Sequence, residues 1–481
     1  MKKKIILSMC VGLLACYSCQ KSALTPALTT AISNVDYQQL NTVARIQASV
    51  LGLYATVRSG ASFGGRYIVA DEAKGENWIN ATSNGITDYN TWREANTNND
   101  TEVVGLWAQC YLSINDCNLF IDGMAASGKV ILGNDLLASN YVAEARFLRA
   151  LNYLALLNMY CQPYAVNNGA SPGVPLRLVG NSKAGDYSLA PATVAEVYTQ
   201  IIADLTFAEA NLPLAYYTTG TTLDATSNTT RATRNSAIAL STRVYLSKGD
   251  YASVITQANK IVSATAPFTA TTGVPYALQA NIANVFKTPY TTTESVFSLP
   301  FTTAETPGTQ NQLATYFVLS TGEFFINTAS QLFTDPNWKA TDARRGLTKV
   351  VGTKTYSNKY PTGSPYTDWA PVIRYSEVLL NLAEARVNVN GAADLQAIAL
   401  LNAVRQRSDP TTVIATATVA NILEERNIEF LGEGKRWLDL WRLRMEIPAK
   451  GATIPALAAT APAYIWPMSG NEQVYNNLIG R

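Results

Sequence analysis

The sequence predicts a mainly α fold of helical hairpins interrupted by two large irregular loop excursions. Three observations predict it. Apolar residues recur at three- and four-residue steps through most of the chain. Residues 235–262 carry the helix–turn–helix spacing of a tetratricopeptide repeat, at Ala239, Tyr245, Gly249, Tyr251 and Ala258. Two long stretches, 59–100 and 289–367, follow neither period and are rich in Gly, Asn, Thr, Pro and aromatic residues.

Composition narrows the class. The chain has 481 residues, enough for one large domain or about three smaller ones. Its hydrophobic content of 47% excludes intrinsic disorder. A formal net charge of +2 leaves no field to hold a polyanion, so nucleic acid is not an expected partner. The chain contains no histidine. That removes Ser-His and Cys-His nucleophiles, imidazole bases and His-ligated metals. Neither a metal nor a cofactor is expected.

The elements follow in order. Lys2, Lys3 and Lys4 precede an apolar run over 5–15. As a helix that run spans about 16 Å against a bilayer core of about 30 Å, which suits an export signal and not a membrane span. Leu13-Leu14-Ala15-Cys16 looks like a lipobox, and Ser18-Cys19-Gln20-Lys21 like the same junction three residues later. Cys19 is favoured as the acylated residue, with Cys16 the alternative. Several acyl chains, at about 0.8 kcal/mol per buried CH₂, give a stable anchor. Residues 1–18 are therefore read as a lipoprotein signal peptide, 19–36 as a flexible tether, and 37–481 as one α-helical domain. Helices are predicted over 37–57, 103–124 and 141–160. Thr193 and Glu196 have the spacing of a capping box that opens the next. Further pairs are predicted over 235–246 with 251–262, and over 371–389 with 395–407, and a third begins at 419–431. Residues 295–301 suit an edge strand or loop. Cys110, Cys117 and Cys161 are expected to be buried thiols. The first two are about 10 Å apart along one helix, too far for a bridge.

Several motifs invite a chemical reading. Gly60-Ala-Ser62-Phe-Gly64 matches a nucleophile elbow, but no imidazole exists to take the serine proton, so a loop is expected. Glu377 and Glu384 share one helix face about 10 Å apart, near the span of an inverting glycosidase pair. They flank an apolar stripe, and pairing with arginines of neighbouring helices is the favoured reading. Residues 424–441 are dense in charge and aromatics. Arg426 and Glu429 are in reach of one another there, Gly432 and Gly434 end the helix, and Arg436 and Asp439 lie on a short new one. Together with Arg374 these charges are read as a structural corner.

The loop aromatics point to a ligand instead. Trp78, Tyr89 and Trp92 lie beside Asp71 and Asn77 in the first excursion, and Tyr316, Phe325 and Trp338 in the second. Tyr290 and Trp369 stand in or beside the second as well. A flat ring next to amides and carboxylates suits a sugar, whose C–H face stacks while its hydroxyls need fixed donors and acceptors. Replacing Trp78 or Trp338 by Ala is expected to weaken oligosaccharide binding without lowering the melting temperature.

The same segments resemble the SusD/RagB family of surface nutrient-binding lipoproteins. Tyr141-Val-Ala-Glu-Ala-Arg-Phe-Leu-Arg-Ala150 is similar to the family's E-A-R-F-L-R-A helix, and residues 371–386 to its R-Y-[AS]-E-V-L-L-x-x-A-E-A helix. Leu401-Asn-Ala-Val-Arg-Gln-Arg407, the corner from Glu425 to Leu440, and the ending Ile465-Trp-Pro-Met-Ser-Gly-Asn-Glu472 also match. The resemblance implies a non-catalytic SusD-like fold with four tetratricopeptide-like units, lipid-anchored outside the outer membrane. It implies capture of oligosaccharide for a SusC-like TonB-dependent transporter. Peptide capture, a purely structural seal on the transporter, and a glycosidase using Glu377 and Glu384 are the competing readings. The matching motifs are scaffold motifs, so the aromatic candidates rest on the residues alone. The chain is shorter than many members, so trimmed loops and a small ligand are expected.

Overall fold

Side-chain chemistry sets where the helices start and stop. Thr193 and Glu196 form a reciprocal capping box, satisfying donors that the first helical turn leaves free. Asn134 caps the Leu137 amide, so the helix expected from 141 begins at Asp135. Thr42 caps Arg45, and the first helix begins at Val43 and not at 37. Gly249, at φ 79°, closes another in the left-handed region that disfavours other residues. The computed structural model describes residues 40–318 and 322–479. The expected signal, both candidate anchor cysteines and the tether lie outside the described residues.

The longer helices are α1 (Val43–Val57), α2 (Arg66–Lys74), α3 (Thr101–Gly123) and α4 (Asp135–Tyr160). Then come α5 (Val194–Asn211), α6 (Arg234–Lys248) and α7 (Tyr251–Ala258). The last group is α8 (Tyr375–Asn390), α9 (Leu395–Ser408), α10 (Val419–Glu429) and α11 (Arg436–Arg442). From α3 to α9 each helix packs against the next in the chain, and α1 packs on both α3 and α4. This is the side-by-side stacking of helical hairpins, in which each pair buries its apolar face on its neighbour. The second half of α4 is buried on every side, from Phe147 to Tyr160, and forms the axis of the core. Cys110, Cys117 and Cys161 are unbridged and buried within it. Burial alone pushes the Cys161 thiol up to about 12. Among the described residues no helix is long and apolar enough to cross a membrane.

Two expectations change here. Residues 371–374 are not helical. Ala370–Arg374 is a strand, β8, paired antiparallel with β4 (Ser295–Leu299) and fully buried with it. Pro371 cannot donate within a helix, and the β-branched Val372 and Ile373 favour the extended form, so the helix waits until Tyr375. The excursions are also less irregular than their composition suggests. The first contains α2, a short helix Tyr89–Trp92 and the strand β1 (Trp78–Asn80). The second contains β5 (Phe324–Ile326), β6 (Thr348–Val351) and β7 (Lys354–Ser357).

The excursions clasp one another. β1 pairs antiparallel with β5, Trp78 opposite Ile326 and Asn80 opposite Phe324. Gly60 of the elbow-like motif and Gly65 just after it serve the same contact. A Cβ at Gly60 would stand 2.1 Å from the Pro307 carbonyl oxygen, and one at Gly65 2.0 Å from that of Asn311. Ser62 is buried between them and donates to the Val57 carbonyl at 3.1 Å.

Candidate functional site

Most of the aromatic candidates turn inward. Trp78 is 0% exposed; its indole N–H donates to Glu72 at 2.6 Å and its ring lies 4.5 Å from Phe317. Trp92 donates to the Trp78 carbonyl at 2.8 Å, and Tyr316 to the Gln310 carbonyl at 2.7 Å. Trp338 lies under the Arg345 guanidinium, 3.7 Å away, and edge-on to Phe333. Asp71 accepts from the Trp437 and Leu438 amides at 2.9 and 3.2 Å, and so holds the start of α11. Asn77 donates to Asn427 at 2.7 Å. All six, expected as ligand contacts, are buried and bonded within the fold. For Trp78 and Tyr316 the physical reason is the clasp: once β1 and β5 pair, Trp78 and Phe324 pack with Phe317 and Tyr316 in one ring cluster. Tyr89 and Phe325 remain half-buried. Phe325 faces away from Phe324 and Ile326, as strand alternation requires, and meets Lys354 at 4.7 Å. Tyr89 stacks on Trp92 at 6.1 Å, with Arg93 over its ring.

A better platform forms from residues that the sequence mentions but does not select. Tyr290 and Trp369 are half-buried and stacked, with ring centroids 5.4 Å apart and planes 19° from parallel. The Tyr290 hydroxyl donates to Asp368 at 2.9 Å. Asp368 also accepts from the backbone and the hydroxyl of Thr362, both at 2.7 Å. Burial and then the neighbouring Asp368 push the Tyr290 phenol up to about 12, so it stays a donor at neutral pH. Tyr366, Thr362 and Asp368 line a small cleft with Gly64 and Gln312, where the two excursions meet. Tyr290 and Tyr366 both hold a left-handed backbone, at φ 64° and 60°. That conformation costs a tyrosine about 1–3 kcal/mol and persists only where its surroundings fix it. The available signal was the Pro-Tyr dipeptide at 289–290 and 365–366. A tyrosine in a turn is outside the periodic pattern that fills a core.

The charged corner is a buried ion network. Glu377 takes both Arg243 nitrogens at 2.6 and 2.7 Å, and Glu384 takes Arg442 at 2.5 and 2.7 Å. Burial would raise the Glu377 carboxyl, but the Arg243 charge more than offsets it and holds it below the usual range. Each is thus a buried carboxylate paired with an arginine of a neighbouring helix. The Arg426–Glu429 pair expected within one helix does not form. Arg426 reaches Asp439 at 2.7 Å, while Glu429 turns to Arg407, Arg374 and Arg344 at 2.6, 2.8 and 3.1 Å. Arg374 also joins Glu433 at 2.7 Å and Glu294. Arg436 binds Glu76 at 2.5 Å, tying α11 to the first excursion. These tertiary partners fix the side chains more firmly than a surface i,i+3 pair would.

The SusD family model matches residues 215–478, more than half of the chain. The chain belongs to the SusD family. A second model, described as starch-binding associating with outer membrane, matches residues 34–246. Among SusD-family relatives, the SusD-like protein P2 of Formosa agariphila is 25% identical over 502 residues, 91% of each chain. A SusD superfamily protein from Bacteroides fragilis superposes with a TM-score of 0.80 at 29% identity, covering 92% of this chain and 99% of that one. A laminarin binding SusD-like protein shares the fold at a TM-score of 0.69 and 21% identity, covering 91% and 98%. The motifs shared with the SusD family fall on α4, β8–α8, α9 and the α10–α11 corner, which is the buried scaffold.

Proposed function

We propose that this SusD-family protein is a lipid-anchored outer-membrane binder that captures oligosaccharide at the Tyr290–Trp369 platform and passes it, uncleaved, to a SusC-like TonB-dependent transporter. The observation that carries the reading is the stacked, half-buried ring pair with a carboxylate fixed beside it. A pyranose face stacks on such a ring while Asp368 and Thr362 meet its hydroxyls. Tyr89 and Phe325 are secondary contacts on this reading. The starch-binding family description and the laminarin binder of the same fold support a glycan as ligand. The buried arginine partners of Glu377 and Glu384 support binding without hydrolysis. Anchoring through Cys19, or Cys16, rests on the sequence.

Calorimetric titration with laminarin and maltooligosaccharides tests the platform. Each ring contributes about 0.5–1.5 kcal/mol beyond area burial, so Trp369→Ala should weaken binding several-fold and the Tyr290→Ala double variant should abolish it. Unchanged affinity in both variants, or binding only to a peptide panel, overturns the reading. Radiolabelled palmitate that is incorporated into the wild type and lost in Cys19→Ala tests the anchor.

A further inference from the structure

A second cleft lies away from the ring platform, between α1, the short helix Ala225–Thr230 and the turn that follows β4, with a volume of about 420 Å³. That is within the size range of small-ligand sites. Leu51, Ala55 and Leu299 give it an apolar wall, and the guanidinium groups of Arg58 and Arg231 line it. Arg231 is fixed from behind. Its Nε and Nη2 donate to the buried Glu144 at 3.0 and 2.6 Å, and it lies over the Tyr216 ring, 4.6 Å away. Its Nη1 has no partner among the described residues. Arg58 donates through Nη1 to the Pro300 carbonyl at 3.0 Å and pairs through Nη2 with Glu305 at 2.8 Å. Glu305 is the one carboxylate among the lining residues, and its side chain is 60% exposed against 16% for Arg58. The hydroxyl protons of Tyr54, Ser227 and Thr230 are turned to Glu144, Asp224 and the Thr226 carbonyl, at 2.6, 2.7 and 2.9 Å. The side-chain donors left for a ligand are therefore guanidinium N–H groups.

We propose that this cleft binds an organic carboxylate, of the kind a uronic acid carries, and that Glu305 holds the place the ligand's carboxylate takes. A carboxylate brings acceptors only, and its planar pair of oxygens matches the guanidinium fork. The chain's own Glu305 already makes that match with Arg58. An exposed ion pair contributes little to stability, so a ligand displaces it at small cost. Glu144 cannot be displaced in the same way. It is buried, and it balances the charge of Arg231 whether or not the cleft is filled. Once Glu305 swings out, Arg58 is the one unbalanced charge, so the site takes a single negative charge and not two. A neutral sugar leaves Arg58 without a counter-charge and is the poorer occupant. The body of the acid covers Leu51, Ala55 and Leu299, which removes apolar surface from water.

Titration calorimetry of the full chain with D-glucuronate, and separately with isovalerate, distinguishes a sugar acid from an aliphatic one that shares its carboxylate. D-glucuronamide is the neutral control. Heat from at least one acid, falling as salt is raised, and none from the amide is the expected result. Glu305→Gln removes the competing carboxylate and should tighten binding several-fold. Arg58→Gln should weaken it at least about tenfold. Ala55→Trp, at an exposed position of α1 on the cleft wall, should block it without touching a charge. The Glu305→Gln chain decides the matter: no heat from either acid there overturns the proposal. Equal binding of D-glucuronamide overturns it too, as does unchanged affinity in both Arg58→Gln and Ala55→Trp. Laminarin, which carries no carboxylate, should bind these variants as it binds the wild type, so this site and the ring platform are read separately.

Discussion

At Glu429 one buried carboxylate accepts Arg407 at 2.6 Å, Arg374 at 2.8 Å and Arg344 at 3.1 Å. Burial would raise this carboxyl, yet the three guanidinium groups hold it well below its usual range. Removing the charge leaves those cations facing one another in a dry site. Glu429→Gln should therefore cost about 3–5 kcal/mol, read from the midpoint of urea unfolding. Trp78 and Trp369 make a contrasting pair. Trp78→Ala empties a buried site and should cost about 3–5 kcal/mol. That reverses the expectation, drawn from sequence, of weakened binding with an unchanged melting temperature. Trp369→Ala should lower glycan affinity with a much smaller change in melting temperature. Scanning calorimetry of both variants beside the glycan titrations checks the contrast. The two tryptophans look alike as letters among polar neighbours; what separates them is a strand pairing between residues about 250 positions apart, which no local pattern encodes.

Element boundaries were legible wherever a local side-chain bond decides them. The Thr193–Glu196 box was readable because both partners lie within one turn, and Thr193→Ala should cost about 1 kcal/mol in thermal unfolding. The helix–turn–helix at α6 and α7 was readable from its glycine and its small-residue spacing for the same reason. The β4–β8 pair was only half visible. An apolar run this short fits a buried helix or a buried strand, and only Pro371 and the β-branched Val372 and Ile373 favoured the strand locally. The Tyr290–Trp369 platform was missed because its two rings meet only through the fold of the second excursion. Gly60 shows the same limit from the other side. Its G-x-S-x-G pattern points to chemistry, whereas its place in the fold is a close approach of two backbones. Gly60→Val should lower the melting temperature by separating the excursions, with no effect on any hydrolytic assay.

Over the whole molecule, opposite shifts among the carboxyl groups set how stability responds to pH. Burial first, and neighbouring carboxylates second, push Asp71 up to about 8 and Glu102 and Glu424 to about 7. A raised carboxyl takes its proton earlier when folded, so these groups lose stability as pH climbs from about 4 through those values. Glu377, Glu429, Glu433 and Asp439 are held low by arginine and lysine partners that outweigh their burial. Their contribution is present above about pH 4.3 and is lost as pH falls through their folded values. Lys435 and Lys450, lowered to about 8 chiefly by burial, add stability as pH rises beyond that value. The melting temperature should therefore peak near pH 4–5, drop steeply in acid, decline toward about pH 8 and recover above it as the two lysines lose their protons. A monotonic rise to pH 9 would contradict this balance. Finally, the three unbridged thiols of the helical core amount to an internal alarm. Cys110 and Cys117 on α3 and Cys161 just beyond α4 are shielded while those helices stay together, so a maleimide dye should label them only as fast as the seam opens. The rate of dye uptake then measures how often the middle of the molecule breathes, with no engineered probe.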